Sequence, residues 1–132
     1  MTAVSELLGF GPGMHVQELG WDEDVDAALR EEVMDALEDD FVYEAEDAVE
    51  AVLLWWRSDD GDLVDGLVDA LTDLAERGYI WLLTPRVGRD GHVSATDIAE
   101  AALTAGLAET NSASVSPNWQ ARKLVRPKVS RR

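Results

Sequence analysis

Cysteine is absent from the 132 residues. That excludes disulfides, thiolate metal sites and a cysteine nucleophile, and it fits a reducing compartment. Histidine is nearly absent. His15 and His92 are the only two, and neither has a second ligand at helical spacing, so a histidine-built metal site has no support. Long apolar runs are missing too. The longest, AVLLWW, has six residues, against the roughly 20 that a membrane span needs. The start, MTAVSELLGF, lacks the basic stretch of a signal peptide. These absences lead us to expect a cytoplasmic protein with no membrane association. A chain of this length buries about two thirds of its unfolded surface, enough for one domain with a real core.

Basic residues are scarce in one half only. Residues 1–66 hold 20 acids and two bases, a balance of −18, and residues 67–132 hold seven acids and nine bases, a balance of +2. The last 14 residues, from Trp119, carry six bases and no acid. An acidic surface of this kind is a solvated face or a face for a basic partner. It opposes direct nucleic-acid binding by the body, because phosphates are repelled.

What is present is patterned. The turn-rich lead-in over residues 1–13 ends in LGFGPGM, and a first strand is expected over 14–19. Asp22 or Asp24 is expected to cap a helix running to about Glu38, with Val25, Leu29, Val33 and Leu37 on one stripe. FVYEA is a short strand candidate of unclear register. AVLLWW (51–56) and YIWLL (79–83) read as central strands covered on both faces. Between them Leu63, Leu67, Leu71 and Leu74 form a helical stripe, with Gly78 expected at the helix C-terminus. Strand, helix, strand with this pattern is a right-handed βαβ unit. Ser94 and Asp97 form a capping-box pattern, Gly106 closes that helix, and a terminal hairpin turns near Pro117–Asn118. The expected division is a lead-in over 1–13, a single α/β domain over 14–127 and a basic tail over 128–132.

Several motifs fail on inspection. GFGPG precedes its strand, whereas a dinucleotide-binding loop follows one. Asp22, Asp24 and Asp26 match the start of a calcium loop, but the required glycine and glutamate are Ala27 and Val33. No G-x-S-x-G elbow exists. The informative pattern is positional. GWDED (20–24), RSDDGD (57–62) and TPRVGRDGH (84–92) each follow an expected strand, so a parallel sheet would gather them at its carboxyl edge.

The run GMHVQELGWDED, then LLWWR, then IWLLTPR, GRDGHV and DIAEAA resembles a family of short, uncharacterised actinobacterial proteins catalogued as a domain of unknown function. The resemblance spans about Leu8 to Lys128 and implies a Rossmann-like domain with a strand end at Trp81–Pro85, where Arg86 replaces a common lysine, and a final strand over Trp119–Val125. The layout is also distantly similar to a pared-down S-adenosylmethionine-dependent methyltransferase. Those proteins follow V-L-E-L-G with further glycines. Here V-Q-E-L-G is followed by Trp21 and three acids, whose bulk and charge oppose that cofactor, so no cofactor is expected.

The expected architecture is thus a small doubly wound, mostly parallel Rossmann-like sheet with a C-terminal antiparallel hairpin. The first functional expectation is a non-catalytic binding or regulatory module, in which Asp22, Glu23, Asp24, Glu38, Asp39 and Asp40 meet a basic protein. The second is an anion or nucleotide-like ligand site, or a degenerate methyltransferase-like one, at the carboxyl edge. There Arg57, Arg86 and Arg89 hold the anion, Asp22 or Asp60 hydrogen-bonds or transfers a proton, His92 titrates near neutrality and Trp21 walls the site. A homodimer through an edge strand or the hairpin is a third option.

Overall fold

The computed structural model describes residues 4–44 and 47–127; the expected basic tail lies outside them. A short helix, α1 (Val4–Leu8), leads into β1 (Val16–Leu19), α2 (Ala27–Leu37), β2 (Val49–Trp55), α3 (Leu63–Leu71), β3 (Leu74–Pro85), α4 (Ala95–Thr104), β4 (Ala108–Ala113) and β5 (Trp119–Val125). One five-stranded mixed sheet forms in the order β1-β2-β3-β5-β4. The first three strands are parallel, and β5 and β4 run antiparallel to their neighbours.

The continuously apolar strands are central because both faces need cover. Val52, Leu54, Ile80 and Leu82 point to α3 and α4, where Leu67, Ile98 and Ala102 meet them. Ala51, Leu53, Trp55, Trp81 and Leu83 point the other way, to Leu29, Val33 and Leu37 of α2. The lead-in completes that second layer. Leu8 and Phe10 enter the core, Trp81 Nε1 donates to Leu8 O at 2.8 Å, and the Tyr79 hydroxyl donates to Gly9 O at 2.8 Å. Trp55 and Trp56 face opposite layers, as neighbours on a strand must.

Three local expectations are corrected. The α2 cap is Asp26, not Asp22 or Asp24: its side chain accepts from Leu29 N at 3.0 Å. The helix before β3 stops at Leu71, so Leu74 and Gly78 belong to β3. On β2 only two steps separate Val49 from Ala51, while their partners Leu74 and Tyr79 lie five steps apart, so β3 bulges here. A Cβ at Gly78 would sit 2.5 Å from Leu74 Cδ1 and 2.8 Å from Glu50 O, so the bulge admits only glycine without a shift. Finally, the described residues of FVYEA contribute a single bridge, Val42 to Gln17, on the free edge of β1.

That bridge fixes a topological feature. The chain leaves β1, crosses α2 and touches the outer edge of β1 at Val42. It then returns past β1 to form β2 on the opposite edge. The winding direction therefore reverses between β1 and β2. In open α/β sheets, ligands enter at the carboxyl end of such a reversal.

Candidate functional site

The three polar clusters do gather at that edge. Gly20 ends β1 with φ of 77°, and a Cβ there would lie 2.1 Å from Trp55 O, so the turn is pressed against β2. Arg57, just past β2, fills the reversal point. Its Nε and Nη2 donate to the two Asp24 carboxylate oxygens at 3.0 and 2.5 Å. Its Nη1 donates to Gly20 O at 2.7 Å and to Asp60 Oδ2 at 3.2 Å. The guanidinium lies 5.2 Å from the Trp119 ring centroid, a cation–π contact from β5. Arg57 is 7% exposed. From the third cluster, Gly91 O accepts from Ser58 N at 2.9 Å, and the Gly91 backbone packs on the Arg57 stem.

The electrostatics follow. The hydrogen bond from Arg57 holds the Asp24 carboxyl below the usual carboxylate range. Burial works against the Arg57 charge, but the hydrogen bonds with Asp24 and Asp60 outweigh it and raise its pKa above the ordinary arginine value. Four of the five guanidinium N–H groups are thereby used inside the chain.

A second network went unnoticed in the sequence. Glu18 on β1 is 2% exposed. Arg30 of α2 donates to its two oxygens at 2.7 and 2.8 Å, the Tyr43 hydroxyl donates at 3.1 Å and Trp55 Nε1 at 3.0 Å. The hydrogen bond with Glu18 raises the Arg30 pKa, and burial, followed by the Glu18 charge, raises that of Tyr43. Trp55 packs edge-on to Trp119 at 4.9 Å, so the Glu18 and Arg57 networks share one aromatic wall. The available signal was two consecutive polar residues, Gln17 and Glu18, inside a four-residue strand, both of them buried.

The other expected residues fall as follows. Trp21 is 53% exposed beside the lock, and Asp22 is exposed, its carboxylate accepting only from Glu23 N among the described residues. Arg86 clamps the β4–β5 turn, donating twice to Ser116 O and once to Gln120 Oε1. Arg89 reaches Asn118 Oδ1 at 3.2 Å. His92 Nδ1 lies 2.8 Å from Pro85 O. The three arginines and His92 therefore do not converge on one ligand position. The two acidic clusters are also apart: Asp22–Asp24 precede α2 and Glu38–Asp40 follow it. Among the described residues, no three His, Asp or Glu side chains come together as metal ligands, and no helix is long and apolar enough to cross a membrane.

A family model described as "Protein of unknown function (DUF3052)" matches residues 5–128. The chain belongs to the DUF3052 family. Uncharacterized proteins of Mycobacterium tuberculosis (strain ATCC 25618 / H37Rv) and Mycobacterium bovis are each 48% identical to it over 122 residues, spanning 92% of this chain and 77% of theirs. Among solved structures, a SAM-dependent methyltransferase from Aquifex aeolicus superposes with a TM-score of 0.61 at 11% identity, covering 94% of this chain and 88% of that one. The magnesium protoporphyrin IX methyltransferase of Synechocystis PCC 6803 with bound SAM gives 0.53 at 12% identity, covering 92% and 74%. The DUF3052 chain thus has the methyltransferase-like Rossmann fold.

The fold raises adenosylmethionine as a ligand, and the residues present do not fit it. The single glycine after β1 is spent on a turn tight against Trp55 O. Trp21 and three acids follow it, and the Arg57 guanidinium fills the reversal point with its own chain's partners.

Proposed function

We propose that this DUF3052 protein is a non-catalytic binding or regulatory module on a methyltransferase-like scaffold. The observation that carries this reading is the Arg57 lock: the crevice where such sheets take a ligand is closed by a buried side chain of the chain itself. Its arginine is held by internal acids rather than left for an anion.

The partner is a basic protein that meets α2. Glu31, Glu32 and Asp35 are exposed along the helix, and Glu38, Asp39 and Asp40 crowd its C-terminal end, where no basic residue sits in the last turn. Negative charge at a helix C-terminus opposes the macrodipole, so these acids weaken the helix that carries them. Selection for stability alone would not place them there. Between its flanking acids the helix spans about 16 Å, at 1.5 Å per residue, long enough to seat a row of lysines or arginines.

The test is capture on immobilised protein at low salt, followed by a salt gradient. A basic protein eluting at a defined step, and lost when Glu31, Glu32 and Asp35 are changed to their amides, supports the reading. Retention that ignores salt or these amides contradicts it.

A further inference from the structure

In a chain of net charge −16, one cleft of about 290 Å³ is lined without a carboxylate. Its polar lining is Thr84, Arg86, His92, Gln120 and Arg122, and Val87 and Val93 supply its apolar part. The strand register brings these residues together. Thr84 pairs with Gln120, and Leu82 pairs with Arg122. Directly opposed residues share a face, so positions 84, 120 and 122 stand on the side where Leu82, Val93 and Ile98 pack.

The donors are fixed and underused. Arg86 spends three N–H groups on Ser116 O and Gln120 Oε1, at 3.0 to 3.2 Å, which leaves two and holds the guanidinium in place. Arg122 Nη1 donates to Glu109 Oε2 at 3.1 Å, while its buried Nε has no hydrogen-bond partner among the described residues. A buried charged donor left unpaired is costly. Thr84, 1% exposed, places its side chain in the lining beside them. Pro85 O can only accept, so His92 Nδ1 carries the hydrogen and Nε2 is left over.

We propose that this cleft binds a small oxyanion, the phosphate or carboxylate group of a compact metabolite. Two anchored guanidiniums suit either group, because their planar forks match its oxygens. The volume of about 290 Å³ lies just under the range for drug-sized ligand sites, about 300–1,000 Å³, which favours a compact acid over a nucleotide. Of the residues expected from sequence at the ligand site, only Arg86, as an anion holder, and His92, as the titrating group, line this cleft. Arg122, Thr84 and Gln120 were not foreseen, and Arg57 and Arg89 are elsewhere. The site shares no residue with the Arg57 lock or with the acidic face, so it stands or falls separately from the binding-module reading.

The experiment titrates the intact chain with inorganic phosphate and, separately, with succinate. Ionic strength is held constant with chloride, and binding is followed by ¹H–¹⁵N NMR and calorimetry. The expected result is saturable binding of at least one anion, with amide shifts centred on Thr84, His92, Gln120 and Arg122. Arg122→Gln should weaken it at least tenfold, and Arg77→Gln, on the exposed surface outside the cleft, should not change it. Tighter phosphate binding assigns a phosphoryl ligand, and tighter succinate binding a carboxylate. Two results overturn the proposal: no saturation with either anion, or an equal response in the two variants. Should Arg122→Gln fail to fold, the wild-type shift map and Thr84→Val decide the same question. Shifts scattered over the surface, or full binding without the hydroxyl and without shifts at Gln120, overturn it.

Discussion

Arg57 is the residue on which the account turns. Its truncation to alanine leaves Asp24, Asp60 and Gly20 O without their cation and uncovers Trp119. Breaking a buried pair in this way destabilises by about 3 kcal/mol, the low end applying because Asp24 is half exposed. Urea unfolding at neutral pH reads the loss. The pH dependence has two arms. Asp24 has a depressed folded pKa, so its contribution is present above the unfolded value and is lost as pH falls through the folded one. Acid unfolding of wild type should therefore be steeper than that of Asp24→Asn. Tyr79 is pushed up from the ordinary tyrosine value of 10.0 to about 12 by burial and, second, by Glu50. Its contribution is complete below pH 10 and lost as pH rises towards 12. Alkaline denaturation followed by tryptophan fluorescence should begin at higher pH in Tyr79→Phe. An unchanged onset would refute that assignment.

At the scale of elements, the helix caps give the sharpest test. Asp26 accepts from Leu29 N and also from Ser116 Oγ at 2.7 Å, tying the start of α2 to the β4–β5 turn. Asp26→Ala should cost about 1–2 kcal/mol, and Asp22→Ala should fall within about 0.5 kcal/mol of wild type. Equal effects would contradict the capping geometry. The same region shows what the sequence made legible. Central strands, helix stripes, the Ser94 cap and the Pro117–Asn118 turn follow from apolar period and turn chemistry, which are local. The end of α3 does not. Leu74 continues the leucine stripe and Gly78 resembles a helix stop, but pairing of Leu74 with Val49 overrides both, and no local pattern reports a partner 25 residues away. The site follows the same rule. That three polar loops meet at one edge was readable from parallel strands. That Arg57 bonds Asp24, 33 residues earlier, was not.

At the scale of the whole molecule, charge and fold point the same way. With −18 concentrated in residues 1–66, added salt should raise stability by relieving self-repulsion. The combined change of Glu38, Asp39 and Asp40 to their amides should stabilise the chain by about 1 kcal/mol through the α2 dipole, while weakening capture of a basic partner. A methyltransferase-like fold thus carries acids that oppose the dipole of α2 and a reversal point sealed by its own Arg57. Calorimetric titration of the wild-type protein with S-adenosylmethionine tests that seal most directly. No saturable heat is expected at millimolar ligand. Saturable binding, with amide shifts at Gly20, Asp24 and Arg57, would show that the Arg57 lock opens, and would contradict that expectation.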